Sequence, residues 1–504
     1  MGIKIRRKYL VYTSICIIIV LLVYPSNALD KYLNLDLTIN NNPNNIYEWA
    51  DGEFTGDWIS NLDEEEQGEI KGYIKQGRNP YLGTIIGEWS ENNSYKGFIK
   101  AFYRYNFIWG WTNSSIDKNS LFFGKIIFND SNFQGKIIHK TGFLLVEGIH
   151  RDSFLPMLTG DYNVGIKNLH LIDEGRYELF TPDNPNDYRE MIAQIWYPVD
   201  KNIINDRIDY MDDLTFQWLF ERSPVPLITI PNNAYEYVRP YSYNEAPIAS
   251  EPENFPVILF SHGYDGVYQI YTSLIEDLVS NGFIVVSINH PYVAGIVVFP
   301  DGEIVRVADI SSNISLQTVV DDIKFVLDQI TEINKSDSFL NGKFDLSRVG
   351  VYGHSFGGAA TAICCYEDSR FKAGLTLDGY FSEELLSEKI PENFDKPFLM
   401  MVAEGRLSDP GSNYIFNLLN RYVYKVEVIG STHYGFTDIG ILLDHFVPLI
   451  PSEPLGFGTI NPKRLVNITK SYEIAFFEVF LKNAPINELI NLSSNFDEVI
   501  FIEK

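Results

Sequence analysis

The chain is poor in the residues that staple or metallate small domains. It has three cysteines in 504 residues, too few for a disulfide framework. Cys16 lies in an apolar N-terminal run, and Cys364 and Cys365 are adjacent, where a mutual bridge would close a strained ring. No cysteine is spaced from a histidine like a zinc ligand, so a structural zinc site is not expected. Basic residues are also scarce. Lys and Arg number 40 against 66 Asp and Glu, a formal charge of −26. Such a surface repels phosphate backbones and anionic headgroups, which argues against nucleic-acid binding and against electrostatic membrane docking. Beyond the first thirty residues no segment is long and apolar enough to span a bilayer.

Those thirty residues have their own pattern. Lys4, Arg6, Arg7 and Lys8 precede an uncharged run from Leu10 to Tyr24, and Ser26-Asn27-Ala28 follows. The run is shorter than the roughly 20 residues of a comfortable span. It reads as a signal peptide cleaved after Ala28, or as a short N-terminal anchor; either way the bulk of the chain is exported to the cell surface or beyond. Seven N-x-S/T sequons, at Asn92, Asn113, Asn129, Asn313, Asn334, Asn467 and Asn491, permit glycosylation there.

Two textures follow. From about Trp49 to Ile149 short units such as GEFTGDW (from Gly52), GTIIGEW (from Gly83) and FQGKIIH (from Phe133) alternate apolar and polar residues between glycines. Period two with Asn, Asp and Gly punctuation predicts an antiparallel meander, a small barrel or sandwich. Its tryptophans fill a small β core more readily than they bind sugar. After His150 compact apolar runs appear: MIAQIWYP (Met191–Pro198), FPVILFSHG (Phe255–Gly263), GFIVVSINH (Gly282–His290), RVGVYGHS (Arg348–Ser355), AGLTLDG (Ala373–Gly379) and KPFLMMVAEG (Lys396–Gly405). Helical stretches, Tyr268–Ser280 and Leu316–Ile330 among them, lie between. Buried strands alternating with helices predict a mainly parallel sheet covered on both faces. The expected division is a leader over 1–28, an all-β module over 29–150 and an α/β domain over 151–504.

The chemistry sits in the third part. Gly353-His354-Ser355-Phe356-Gly357-Gly358 follows a strand and opens a small-residue helix. In that setting G-x-S-x-G reads as a nucleophile elbow, because side chains at the flanking positions would collide with strand and helix. Ser355 needs a base. Two histidines follow it, and His433, in a loop after the strand YKVEVI, is better placed than His445 in the apolar stretch ILLDHFVPLI. The acid has three candidates at strand ends: Asp378, Glu404 and Asp409. SHGYDG, after PVILF, has the shape of an oxyanion loop, with the Tyr264 N–H beside that of Phe356. His262 in that loop reads as a bracing residue.

Together VILFSHGYDG, GFIVVSINHPY, VFPDG, DDIKFVLDQI, SRVGVYGHSFGGAATA, RFKAGLTLDGY and GSTHYGFTD, in this order from about Asp161 to Lys482, resemble the platelet-activating factor acetylhydrolase family of α/β-hydrolases. The resemblance implies Ser355 as nucleophile, His433 as base, Asp378 as acid, and Tyr264 and Phe356 as oxyanion donors. It implies hydrolysis of short or oxidised acyl esters of phospholipids, and of varied esters in bacterial relatives, with no metal or cofactor. It leaves the β module unaccounted for, and the Tyr264 side chain at the pocket rim leaves acyl and headgroup preference open. Other expectations compete. One is a polyester hydrolase or peptidase, since a triad fixes acyl transfer and not the leaving group. Another is a surface-binding protein with a vestigial hydrolase domain, which the intact elbow, base and acid argue against.

Overall fold

The computed structural model describes the backbone of eight strands between residues 52 and 150. It also describes residues 155–504, apart from 185, 204–206, 222–237, 309–311, 391–393 and 447–452, with the side chains of all but a few. The expected leader at 1–28, and the aromatic side chains of the β module, lie outside the described residues.

The eight strands, β1 (Gly52–Ser60) to β8 (Gly142–His150), form a closed antiparallel barrel. Closure comes from β1 pairing with β8 in a register that sets Gly52 opposite His150 and Ser60 opposite Gly142. Each strand pairs with its chain neighbours, the topology that period-two runs with short turns produce.

The second architecture is a ten-stranded sheet. One edge holds β9 (Asn163–Tyr177), β10 (Tyr188–Val199) and β11 (Ser242–Asn244), with β9 and β10 antiparallel. Its centre is parallel: β13 (Ile284–Asn289), β12 (Phe255–Ser261), β16 (Phe344–His354), β17 (Phe371–Leu377), β18 (Phe398–Ala403) and β19 (Val423–Val428). Antiparallel β20 (Val499–Glu503) closes the far edge, and a separate two-stranded ribbon is formed by β14 (Ile296–Val298) and β15 (Ile304–Arg306). Every residue of β12, β13, β18 and β19 is buried, which explains why β12, β13 and β18 read as nearly continuous apolar runs rather than alternating ones; β19 buries Lys425 and Glu427 as well.

Helices cover both faces. Among the described residues they include α1 (Asp213–Glu221), α2 (Thr272–Ser280), α3 (Ser312–Ser336), α4 (Phe356–Glu367), α5 (Glu383–Ser387), α6 (Pro410–Leu418), α7 (Ile439–Phe446) and α8 (Pro462–Lys482). One core cluster joins α2 and α8 to the sheet through Leu274, Leu278, Phe476 and Phe477; the other joins α3 and α4 through Val319, Ile323, Ile363 and Cys364. Cys364 and Cys365 are free thiols inside the second core, where burial raises the pKa of both. Helix α8 starts where the Asn461 side chain accepts the Arg464 N–H, with Pro462 in the first turn, and stops at Asn483 with φ of 60°. A buried ion pair of 3.1 Å, Lys470 to Asp277, ties α8 to α2. The parallel strands run so that the ends of β12, β16, β17, β18 and β19 meet at one rim, where an open α/β sheet binds its ligands.

Candidate active site

Ser355 stands between β16 and α4 with φ of 53° and ψ of −114°, a left-handed conformation that a non-glycine residue holds only under the constraint of its surroundings. Those surroundings are specific. A Cβ on Gly353 would lie 2.5 Å from the Gly357 carbonyl carbon, and one on Gly357 would lie 2.2 Å from the Ser261 carbonyl oxygen. Only hydrogen at these two positions allows the turn to sit against the end of β12.

The elbow is laced to the turn after β17. The Ser355 N–H donates to the Leu377 carbonyl at 3.0 Å, and the Ser355 carbonyl accepts from the Tyr380 N–H at 2.8 Å. Leu377 and Tyr380 flank Asp378, so the same two bonds that hold Ser355 hold Asp378 next to it. Asp378 has φ of 44° and is 1% exposed. Its Oδ2 accepts from His433 Nδ1 at 2.6 Å and from Arg406 Nη1 at 2.7 Å, and its Oδ1 accepts from the Ala403 N–H at 3.1 Å. Burial opposes the charged carboxylate, but the hydrogen bonds from His433 and Ala403 and the Arg406 charge outweigh it and hold the pKa below the ordinary range.

His433 begins a short 3₁₀ turn, His433–Phe436, after β19. Its carbonyl accepts from His354 Nε2 at 2.9 Å, and the two rings lie 4.5 Å apart. His433 is thus pinned to the residue that precedes Ser355. With Nδ1 donating to a carboxylate that can only accept, His433 Nε2 is left with the lone pair a base requires.

The loop after β12 also reaches Ser355. A Cβ on Gly263 would stand 3.0 Å from Ser355 Cβ and 3.1 Å from His354 Nδ1, so the backbone at Gly263 and Tyr264 passes against Ser355. His262 is 1% exposed and its Nδ1 meets the Gly263 carbonyl at 2.7 Å, in keeping with a bracing part. Burial and the neighbouring His290 push its pKa down to about 3, so it is neutral. Behind it Ser261 Oγ contacts His290 Nε2 at 3.0 Å, His290 Nδ1 contacts Asp322 at 2.9 Å, and Arg189 pairs with the same carboxylate at 2.7 Å. This fully buried chain fixes the end of β12 from inside the sheet.

The rival acids are engaged elsewhere. Glu404 Oε2 accepts the Gly430 N–H at 2.9 Å, and Asp409 caps α6 by accepting the Ser412 N–H at 2.9 Å. His445 falls within α7, and its side chain lies outside the described residues. Sequence reasoning missed Arg406, His354 and Tyr271. Arg406 follows β18 in a loop without a motif, and His354 was visible only as the variable position of G-x-S-x-G. The rim of the site is aromatic: Tyr264, Tyr380 and Tyr434 are 45%, 51% and 57% exposed, each within two residues of a site group. Tyr264 is held by its hydroxyl donating to the Ala308 carbonyl at 2.6 Å and lies edge-on to Phe356.

Comparison with known proteins bears on the family and the fold. A probable 1-alkyl-2-acetylglycerophosphocholine esterase of Arthroderma benhamiae is 26% identical over 266 residues, 49% of this chain and 66% of that protein. The platelet-activating factor acetylhydrolase of Cavia porcellus is 25% identical over 279 residues, 49% of this chain and 60% of that protein. The chain thus spans about two thirds of the length of these relatives at most. The solved structure of a ferulic acid esterase from Streptomyces cinnamoneus superposes with a TM-score of 0.58 at 26% identity, covering 69% of this chain and 99% of that one. That neighbour and the mostly parallel, helix-covered sheet establish the α/β-hydrolase fold. The family model for platelet-activating factor acetylhydrolase, isoform II, matches residues 148–299 and 296–494. Those matches take in the elbow, the acid turn and the histidine loop and cover well over half of the sequence, and the chain belongs to that family.

Proposed function

We propose that the protein is an exported serine carboxylic-ester hydrolase of lipid-like esters, working through an acyl-enzyme. The observation that carries this reading is the 2.6 Å bond from His433 Nδ1 to the buried Asp378, on a loop fixed beside Ser355. His433 Nε2 takes the Ser355 proton as Oγ attacks the ester carbonyl. The Tyr264 and Phe356 N–H groups receive the oxyanion. The tetrahedral adduct collapses, the protonated His433 gives its proton to the departing alkoxide, and the alcohol leaves. Water, deprotonated by the same imidazole, then releases the acid and restores Ser355. Export rests on the charged-then-apolar N-terminus; among the described residues no helix is long and apolar enough to cross a membrane.

A second reading within the same chemistry, hydrolysis of esters with an aromatic acyl group or of polyesters, is favoured by the tyrosine rim and by the ferulic acid esterase neighbour. One experiment tests the shared core. Fluorophosphonate should label wild type at Ser355, and Ser355→Ala should neither label nor hydrolyse, with a loss of ~10⁴-fold or more. An alanine variant that keeps a tenth of the rate, free of contaminating esterase, refutes the mechanism. Relative kcat/KM on acetyl glycerophospholipids and on aryl-acyl esters then chooses between the readings.

A further inference from the structure

The Asp378–His433 pair and the oxyanion loop come from different parts of the sheet, yet one buried bridge joins them. His354 Nε2 lies 2.9 Å from the His433 carbonyl, and His354 Nδ1 lies 2.9 Å from the Tyr271 hydroxyl. Both side chains are buried, His354 at 2% and Tyr271 at 1% exposure.

Donor and acceptor roles in this bridge are forced. A carbonyl oxygen only accepts, so His354 Nε2 carries the hydrogen. Burial and the adjacent His433 push the His354 pKa down to about 3, so the ring is neutral and Nδ1 is bare. The Tyr271 hydroxyl therefore donates to Nδ1. The chain runs one way: Tyr271 O–H to His354, His354 N–H to the His433 carbonyl. Bonds polarised in the same direction reinforce one another. Packing completes the connection to the oxyanion loop, since a Cβ on Gly263 would meet His354 Nδ1 at 3.1 Å.

We propose that His354 and Tyr271 are positioning residues that set the oxyanion loop and the His433 loop in mutual register across Ser355. The inference rests on the oxyanion and base roles argued above. Attack requires the base on one side of Oγ and the oxyanion donors on the other, and errors of an ångström between them are costly. Neither residue touches substrate, and neither changes charge in the cycle.

Because Tyr271 acts only through the His354 ring, losing either hydrogen bond frees the same ring and loosens the same contact. Tyr271→Phe and His354→Asn should each lower kcat on a soluble ester about ten-fold with KM little changed, a scale below outright loss of an oxyanion donor. The double variant should be no worse than the weaker single. His354→Gln, whose amide nitrogen stands near the place of Nε2, should recover part of the rate lost in His354→Asn. Melting temperatures are compared throughout. Losses that multiply in the double variant, or Tyr271→Phe at the wild-type kcat, overturn the proposal. A neutron structure of the wild-type protein gives a test that needs no variant: the proton is expected on Nε2 of His354, and a proton on Nδ1 alone refutes the bridge. Failure of the underlying reading is distinguishable, because then wild type would not label at Ser355.

Discussion

Asp378→Asn is the sharpest perturbation available, because the carboxylate is asked to do two incompatible things once one oxygen becomes an amide. Aspartate presents two acceptors. Oδ2 takes the His433 Nδ1–H and the Arg406 guanidinium, while Oδ1 takes the Ala403 N–H. Asparagine has one acceptor and one donor. With its oxygen toward Ala403, the NH₂ faces Arg406, a donor against a donor, and faces His433 so that the imidazole must turn its bare nitrogen inward. The proton then sits on Nε2, and Ser355 has no base. With the oxygen toward His433, the NH₂ opposes the Ala403 N–H in a site where only 1% of the side chain meets solvent. The first arrangement costs chemistry, the second a buried donor clash. Even in the second, the imidazolium formed during attack loses its counter-charge.

The expected loss in kcat is ~10⁴-fold, the scale on which triad acids act. The controls are built into the neighbouring loop. Glu404 accepts one backbone N–H, a role the carbonyl of glutamine keeps, so Glu404→Gln should stay within about two-fold. Asp409 is an N-cap, and asparagine caps a helix as well as aspartate does; the same small change is expected. Turnover of a p-nitrophenyl ester is measured on the three variants after their melting temperatures are shown to match. A folded Asp378→Asn enzyme at near-normal rate beside an inactive Glu404→Gln would move the acid one strand along and refute the argument.

Three further outcomes are expected. Gly263→Ala puts a methyl 3.0 Å from Ser355 Cβ and 3.1 Å from His354 Nδ1; it should cost about a hundred-fold in kcat by displacing the oxyanion donor, and wild-type turnover would contradict the placement of the loop. Burial, together with the charge of Asp438, raises the Glu276 pKa from 4.5 to about 8, against the Ser242 hydrogen bond. The folded chain therefore keeps a proton that the unfolded chain loses near pH 4.5, and this contribution to stability is present in full below that pH and disappears as pH rises to about 8. Glu276→Gln should flatten the fall in melting temperature between pH 5 and pH 8, and an unchanged slope would show that Glu276 is not its source. Finally, removal of residues 29–149 should leave a folded esterase with near-normal turnover on a soluble ester. The barrel strands pair only among themselves and the ten-stranded sheet borrows none of them, so the deletion exposes no new sheet edge; a truncated chain that cannot fold refutes this division.

The parts of the fold that were readable in the sequence are those in which one physical constraint dominates. β12, β13 and β18 are buried on both faces, so every residue is apolar or small and the run stands out from its surroundings. The elbow was readable because steric exclusion leaves glycine alone at positions 353 and 357. β9 and β20 escaped notice for the opposite reason. After Val164, Gly165 and Ile166, which are buried, β9 alternates half-buried and exposed residues for most of its remaining length, and β20 has no fully buried residue. Their pairing is set by the neighbouring strand, and local composition carries little trace of it.

The site divides along the same line. Ser355 lies in a contiguous motif and His433 in a loop after a recognisable strand, but the acid could not be separated from Glu404 by position, since both stand at strand ends on the same rim. What separates them is the count of donors each receives: three converge on Asp378, one of them His433, and a single backbone N–H reaches Glu404. The residues that sequence reasoning missed are of this relational kind. Arg406 is 28 positions from Asp378, His354 is 79 from the His433 carbonyl it holds, and Tyr271 is 83 from His354. A histidine at the variable position of an elbow, or a tyrosine at the start of a buried helix, is unremarkable in type and spacing. Each gains a definite role only when the sheet brings a carbonyl, a bare ring nitrogen and a phenol hydroxyl within hydrogen-bond reach, because the direction of every proton in the chain is then fixed by the one partner that cannot donate.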